Sequence, residues 1–178
     1  VPVPFDASLE GYLEYLRGQR EAPTEKPPAI SVTAIELDGT AATDFVTLQA
    51  RLTVEVTEAA QPVRFPLALS EAVIQQATVK ANGRAIFGGK DPERGYSWWL
   101  NGIGTYEFDL KLGLPIRKLS PWRRVQLSLP SSPVTSLRLR LPVAASATKM
   151  VPDDAVLETS TLDTGHTEIR SSGFGSRL

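Results

Sequence analysis

Apolar and polar residues alternate without a break from Val46 to Val56. Apolar side chains occupy every second position, and Thr, Gln, Arg and Glu fill the positions between them. A period of two is typical of a β-strand with one buried and one solvent-facing side. The same alternation recurs in four later runs: Val63–Leu69, Tyr106–Leu112, Val125–Leu129 and Leu137–Leu141. We therefore expect each of these runs to form a strand.

The segment between the runs Val63–Leu69 and Tyr106–Leu112 is less regular. A helical turn is one interpretation of this segment, but Ala77, Val79 and Ala81 alternate with polar residues, and the dipeptide Asn82-Gly83 is a strong hairpin signal. We therefore predict a strand, a turn and a strand through Ile86. Pro66 lies inside an alternating run and cannot donate a backbone hydrogen bond, which predicts an edge strand or a bulge. The whole pattern predicts an all-β fold, an antiparallel β-sandwich of about eight to ten short strands.

The period changes near the N-terminus, where one amphipathic helix is predicted. Asp6 is a suitable N-cap and Gly18 a suitable C-terminal residue. Between them, a narrow apolar stripe follows helical spacing: Leu9, Tyr12, Leu13 and Leu16. This gives a helical segment over 1–22, a proline-rich linker over 23–29 and a β-sandwich domain over 30–178. A helix this short needs a docking surface, which we expect on its own domain, with a neighbouring molecule as the alternative.

The aromatic run around Trp98 and Trp99 predicts a second hairpin. A three-residue loop from Gly102 to Gly104 would place Trp98 opposite Phe108 and so make every inward pair apolar. Tyr96 would then lie in the core. Trp99 would lie on the outer face, where it either anchors a ligand or protein partner or is covered by another segment.

Charge is distributed unevenly along the chain. Residues 1–110 carry 15 acidic and 9 basic side chains, whereas residues 111–152 carry none acidic and 8 basic. Four cations of this basic segment flank Trp122: Arg117, Lys118, Arg123 and Arg124. These five residues and Trp99 are the candidate ligand-binding residues. The competing interpretation is cross-strand pairing, with Arg138 and Arg140 opposite Glu107 and Asp109.

Catalytic and metal-binding motifs are few. The chain has no cysteine and one histidine, His166, and it contains neither HExxH nor the nucleophile motif G-x-S-x-G. Asp153 and Asp154 are adjacent, so they are not the facing carboxylates of a glycosidase. We therefore expect no catalytic residue, no metal site and no cofactor, with an enzyme kept as a minor alternative.

The stretch "GYSWWLNGIGTYEFDLKLGLPI", followed by "VQLSLPSSPVTSLRLRLP", resembles a pattern in large envelope proteins of planctomycete-like bacteria, over about residues 62–142. The resemblance implies an extracytoplasmic β-sandwich module, in the periplasm or at the cell surface, within a longer chain. It assigns no site residue. The chain starts at Val1 without a signal peptide, so we expect a processed form or a segment of a longer protein.

These observations favour a non-catalytic β-sandwich module with a structural or protein-interaction role in an envelope protein. The alternative is a module that binds carbohydrate or polyanions through Trp99, Trp122 and the basic segment 111–149. The expected partners are other domains of the same chain or other envelope proteins, with acidic or neutral glycans under the alternative. A sequence pI of about 5.9 disfavours nucleic acid, and no apolar run is long enough to span a membrane.

Overall fold

The computed structural model describes residues 29–58, 61–143, 147–151, 155–162 and 165–174. The predicted helix over 1–22 and nearly all of the predicted linker over 23–29 lie outside the described residues. The described part is built from strands and contains no helix. The prediction of an all-β fold is therefore confirmed.

Twelve strands are present among the described residues, rather than the predicted eight to ten. In chain order they are β1 (Ile30–Ala41), β2 (Phe45–Val56), β3 (Val63–Ala68), β4 (Val73–Ala81), β5 (Arg84–Asp91), β6 (Gly95–Asn101), β7 (Gly104–Pro115), β8 (Arg117–Leu119), β9 (Trp122–Arg124), β10 (Val134–Leu141), β11 (Val156–Thr161) and β12 (Thr167–Ser172). They form three sheets of seven, three and two strands.

The seven-stranded sheet has the order β11-β12-β10-β1-β2-β7-β4. Most neighbours are antiparallel, but β1 and β10 run parallel, with Leu37 opposite Leu137. The prediction of a purely antiparallel arrangement is therefore wrong for this pair. Parallel neighbours need a long connection, and here more than ninety residues of chain separate the two strands.

The core lies between the apolar face of the seven-stranded sheet and the three-stranded sheet β3-β6-β5. The ring of Phe108 on β7 lies 5.5 Å from Phe65 and 5.6 Å from Trp98, both on the smaller sheet. Leu52 and Leu110 on the larger sheet are completely buried. Apolar side chains of the two sheets thus pack against each other, and this burial is the main stabilising contribution expected for the fold.

The predicted hairpin between β6 and β7 is wrong in its pairing but correct in its orientations. Strand β6 pairs with β3 and β5, whereas β7 pairs with β2 and β4 in the other sheet. Trp98 nevertheless faces inward at 4% exposure and Trp99 outward at 42%. Trp98 does meet Phe108, but as an edge-to-face ring pair between two sheets rather than as neighbours in one ladder.

The chain changes sheets twice at one corner of the molecule. The Asn82-Gly83 dipeptide leads from β4 in the larger sheet to β5 in the smaller one, so it is not the predicted hairpin turn. Gly102 leads back from β6 to β7. The buried hydroxyl of Tyr106 donates at this corner, lying 2.9 Å from the carbonyl oxygens of both Asn101 and Gly102.

Close contact at this corner explains the glycine at position 83. A Cβ there would collide with the Tyr106 hydroxyl and with the carbonyl oxygen of Asn101. Burial raises the pKa of the Tyr106 hydroxyl above its ordinary value of 10.0, which keeps the group protonated and able to donate. The Tyr106 hydroxyl therefore hydrogen-bonds to the connection between β6 and β7 and lies close to Gly83 in the connection between β4 and β5.

Two further strand predictions have different outcomes. Pro66 lies on β3, an edge strand of the smaller sheet, and β3 has a register shift between Pro66 and Ala68, as predicted. The run Val125–Leu129, by contrast, belongs to no sheet. Side-chain hydrogen bonds hold it instead: the Glu71 carboxylate accepts from the backbone N–H of Ser128 at 3.1 Å and from its hydroxyl at 2.9 Å.

Candidate functional site

Trp99 lies on the outer face of the three-stranded sheet, as predicted. Its cross-strand neighbours are Ile86 on β5 and Arg64 on β3. A Cβ at Gly88 would lie 3.3 Å from Cδ1 of the indole, so the ring rests against the glycine backbone. Trp99 and Ile86, which is 46% exposed, together form a small apolar patch on this face.

The other predicted ligand-binding residues lie together on the two-stranded sheet β8-β9. Trp122 is opposite Leu119, and both are about half exposed. The remaining four are also exposed on this ribbon: Arg117, Lys118, Arg123 and Arg124. The structure therefore brings five of the six candidates together and leaves Trp99 on a different sheet. Their role in binding a ligand stays a prediction.

Lys118 already has a protein partner. Its ammonium group lies 2.7 Å from the Asp44 carboxylate, and the hydrogen bond and charge of Lys118 hold the pKa of Asp44 below its ordinary value. Arg123 adds a smaller effect of the same sign. Within the described ranges, neither Arg117 nor Arg124 forms an ion pair.

The structure also shows a charged face that sequence analysis missed as a unit. It is the outer face of the seven-stranded sheet, where the polar positions of neighbouring strands align in rows. One row across five strands is formed by Glu158, Arg170, Arg138, Asp38 and Gln49. A shallow groove of about 440 Å³ crosses this face. Alternation could predict which residues point outward, but not the order of the strands that brings them together.

Glu168 is the most enclosed charged group of this face. Its side chain is 6% exposed, and its carboxylate lies 2.6 Å from Arg170, 3.5 Å from Arg140 and 3.9 Å from Arg138. The hydrogen bond from Arg170 is the largest cause that lowers its pKa, and it outweighs the opposing effect of burial. Three guanidinium groups thus stabilise one carboxylate in its ionised form.

Arginines of the basic segment form cross-strand ion pairs, as predicted, but not with the predicted partners Glu107 and Asp109. Arg138 pairs with Asp38 at 3.9 Å and with Glu168, because β10 lies between β1 and β12. Strand β7 lies two strands beyond β1, out of reach of β10. Asp109 on β7 pairs instead with Arg51 at 3.2 Å and with Lys80 at 3.7 Å.

Metal-binding residues do not cluster in the part of the chain that the structure describes. No three His, Asp or Glu side chains there are placed to hold an ion. His166, the one histidine of the sequence, is exposed on the turn before β12. The described residues also include no helix that is long and apolar enough to cross a membrane.

No protein-family model and no curated protein matches the chain. Among solved structures, the chain is similar to a two-domain M1 zinc metallopeptidase solved with L-tryptophan, at 15% identity and a TM-score of 0.50. This match covers 82% of the chain and 39% of the metallopeptidase.

Two further solved structures show a weaker likeness. An M1 zinc metallopeptidase from Deinococcus radiodurans has 15% identity and a TM-score of 0.49, over 83% of this chain and 39% of that one. Leukotriene A4 hydrolase from Saccharomyces cerevisiae has 9% identity and a TM-score of 0.47, over 89% and 32%. The chain thus spans well under half the length of the solved proteins that it matches.

The likeness at a TM-score of 0.50 corrects the function predicted from the sequence. One solved protein with a similar fold is an enzyme, a two-domain M1 zinc metallopeptidase. The interpretation of a non-catalytic structural or interaction module, with its carbohydrate- or polyanion-binding alternative, is therefore contradicted, and so is the prediction that the chain is not an enzyme. The sequence carries no catalytic motif that could have indicated this likeness, which is one of fold at 15% identity.

Proposed function

We propose that the described residues form the β-rich domain of a peptidase-like enzyme with the architecture of the M1 zinc metallopeptidases. The observation that carries the proposal is the fold match at a TM-score of 0.50, which extends over 82% of this chain but only 39% of the metallopeptidase. A match that covers most of this chain but less than half of the larger protein is expected when the chain corresponds to one domain of such an enzyme. The activity proposed for the whole protein is removal of residues from peptides.

The residues of this chain do not fit a catalytic zinc ion. A peptidase zinc site uses three protein ligands, commonly two histidines of an HExxH helix and a third residue. This sequence has one histidine and no HExxH motif, and the described residues contain no cluster of possible ligands. The proposal therefore assigns metal chemistry to a region outside these 178 residues, and to this chain a role in shaping the enzyme around its substrate.

Three finer expectations from the sequence accompany this proposal. The contact of Phe65 and Trp98 with Phe108 supports a description of the two larger sheets as an open β-sandwich. The extracytoplasmic location and the similarity to planctomycete-like envelope proteins stay predictions.

The proposal is tested on the protein as its cell makes it. An antibody raised against the 178-residue chain isolates the natural protein, whose zinc content is measured together with its hydrolysis of fluorogenic aminoacyl amides. We expect about one zinc per molecule and turnover that a chelator abolishes and added zinc restores. Extract depleted with the same antibody is the control.

Two results would overturn this assignment. One is a natural protein that contains no zinc and hydrolyses none of a broad panel of aminoacyl and peptidyl amides. The other is metal-dependent turnover by the 178-residue chain alone, which would place the catalytic centre where the sequence provides one histidine.

A further inference from the structure

Both asparagines of the sequence precede a glycine, and both lie at the corner where the chain changes sheets. Asn82-Gly83 connects β4 to β5, and Asn101-Gly102 connects β6 to β7. The two connections lie side by side, since a Cβ added to Gly102 would be 3.4 Å from Cα of Gly83. The same dipeptide therefore occurs twice at one corner, but in different surroundings.

Asparagine is one of the chemically labile residues of proteins, and a following glycine makes it more labile. The backbone nitrogen of the glycine can attack the side-chain carbon Cγ of the asparagine. A bond from this nitrogen to Cγ forms, the bond from Cγ to Nδ2 breaks, the backbone N–H gives up its proton, and Nδ2 takes up a proton and leaves as ammonia. Water then opens the cyclic imide at either carbonyl group and yields aspartate or isoaspartate. Glycine favours the reaction because it has no Cβ to hinder its nitrogen and has the most backbone freedom.

The packing of the corner requires both glycines. A Cβ at position 83 would collide with the Tyr106 hydroxyl and with the carbonyl oxygen of Asn101. Gly102 has a φ of 111°, which other residues rarely adopt. The fold thus keeps a labile dipeptide in each connection, and the surroundings of each asparagine decide whether it reacts.

The surroundings of Asn82 leave it free to react. Neither Asn82 nor Gly83 belongs to a strand, and Asn82 is exposed to solvent. In the part of the chain that the structure describes, no turn or side-chain hydrogen bond holds the peptide between them. Rotation of this peptide toward the Asn82 side chain therefore breaks no such bond.

Asn101 is also exposed, but its backbone is held in place. It is the last residue of β6 and lies opposite Arg84 on β5. The Tyr106 hydroxyl lies 2.9 Å from its carbonyl oxygen and 2.9 Å from that of Gly102, and donates to both. Attack on Cγ requires rotation about the bond between Cα of Asn101 and its carbonyl carbon, and this rotation moves the carbonyl oxygen away from the hydroxyl. The reaction at Asn101 must therefore first break a hydrogen bond.

We propose that Asn82 is a site of spontaneous deamidation in this chain, and that the Tyr106 hydroxyl protects Asn101 from the same reaction. The reaction is hydrolysis of a side-chain amide through a cyclic imide, with water as the only co-reactant. Isoaspartate at position 82 adds one carbon to the main chain of a connection that is tightly packed at Gly83, so the modified chain should unfold more readily. The proposal concerns this chain alone and does not depend on the peptidase assignment.

The experiment compares the two asparagines within one molecule. The complete folded chain is incubated in warm, mildly alkaline buffer, which favours loss of the backbone amide proton. Samples taken over time are digested and mapped by mass spectrometry, and isoaspartate is identified by enzymatic methylation of its carboxylate. The same chain unfolded in urea is the reference, because both sites are Asn-Gly and their intrinsic rates should be similar there.

In the folded chain we expect Asn82 to react about tenfold faster than Asn101, a ratio that corresponds to about 1.4 kcal/mol of activation free energy. In urea the two rates should be similar. Tyr106→Phe should raise the rate at Asn101 several-fold and leave the rate at Asn82 unchanged. Tyr96→Phe, which removes a hydroxyl that bonds to Ala72 instead, should change neither rate.

Three results would overturn the proposal. Equal rates in the folded chain, or a faster reaction at Asn101, would show that the corner does not protect Asn101. Reaction at Asn82 in urea but not in the folded chain would show that the fold holds Asn82 as well. A slow reaction at Asn101 that Tyr106→Phe does not accelerate would assign the protection to the pairing with β5 and not to the hydroxyl. The first two comparisons use the parent chain, so they hold even if Tyr106→Phe fails to fold.

Discussion

The two faces of the seven-stranded sheet hold the same strands by different means. Leu52 and Phe108 are completely buried on the inner face, and their chain neighbours Arg51 and Asp109 form an ion pair at 3.2 Å on the outer face. The inner face packs against a second sheet, while the outer face is open and carries rows of charge. Because successive residues of a strand face opposite sides of the sheet, each strand buries apolar side chains on one side and forms ion pairs between charged side chains on the other.

This difference implies a difference in energy. Burial contributes about 25 cal/mol for each Å² of apolar surface removed from water. An exposed ion pair contributes a median of about 0–1 kcal/mol, because solvent and salt screen it. Substitutions on the inner side should therefore cost much more than equivalent ones on the outer side, apart from enclosed charges such as Glu168.

The largest effect is expected at the neighbouring tryptophans of β6. Trp98→Ala should lower the free energy of unfolding by about 3–5 kcal/mol, because it leaves a cavity against Phe108 and Phe65. Trp99→Ala on the outer face of the same strand should cost about 0.5 kcal/mol. Chemical denaturation of both variants measures this contrast. Equal losses would mean that the inner and outer sides of β6 are wrongly assigned.

The next effect concerns the corner where the chain changes sheets. Tyr106→Phe should cost about 1–3 kcal/mol, because it removes the buried donor to the carbonyl oxygens of Asn101 and Gly102. Tyr96→Phe is the matched control. Its hydroxyl makes longer contacts, 3.3 Å to the carbonyl oxygen of Ala72 and 3.3 Å to the N–H of Ile74, so its loss should be smaller. The reverse order in thermal unfolding would contradict this role for Tyr106.

Sequence analysis could predict the faces of the strands but not the sheets to which they belong. A short turn that contains glycine can connect two neighbouring strands of one sheet or two strands that belong to different sheets. Trp98 meets Phe108 in either arrangement, so apolar pairing could not distinguish them. The order β10-β1-β2-β7 depends on contacts between distant segments, and it determined that Arg138 pairs with Asp38. The likeness to a solved metallopeptidase could not be predicted from the sequence, because at 15% identity it is a likeness of fold and not of motifs.

A smaller effect with a distinct pH dependence is expected at Glu168. Its folded-state pKa lies below the ordinary value of 4.5, so its ionised form stabilises the fold above that pH, and this stabilisation is lost as the pH falls through the folded-state pKa. Glu168→Gln should therefore be less stable than the parent chain at neutral pH, and the two should converge below pH 4.5. Urea denaturation across this range measures the difference. A difference that stays constant in acid would mean that the arginine contacts do not depend on this charge.

The smallest effect is expected for the exposed pair of Arg51 with Asp109. Arg51→Met should cost less than about 1 kcal/mol and should lose its effect in high salt, because screening acts mainly on exposed charges. Thermal unfolding with and without 1 M salt tests this, and Glu168→Gln in the same series is the enclosed comparison. A large loss of stability in Arg51→Met that does not depend on salt would contradict the expectation that the exposed ion pairs of the outer face are weaker than the enclosed contacts of Glu168.

The two sheet changes at Gly83 and Gly102 separate this fold from the continuous hairpin predicted from the sequence. Nuclear Overhauser contacts between backbone protons test them directly, since opposed residues of a ladder have Cα atoms about 4.5–5.5 Å apart, whereas facing sheets are about 10 Å apart. We expect backbone contacts between Trp99 and Ile86 and between Tyr106 and Val54. Backbone contacts between Leu100 and Tyr106 instead would show a single continuous hairpin and would contradict this expectation.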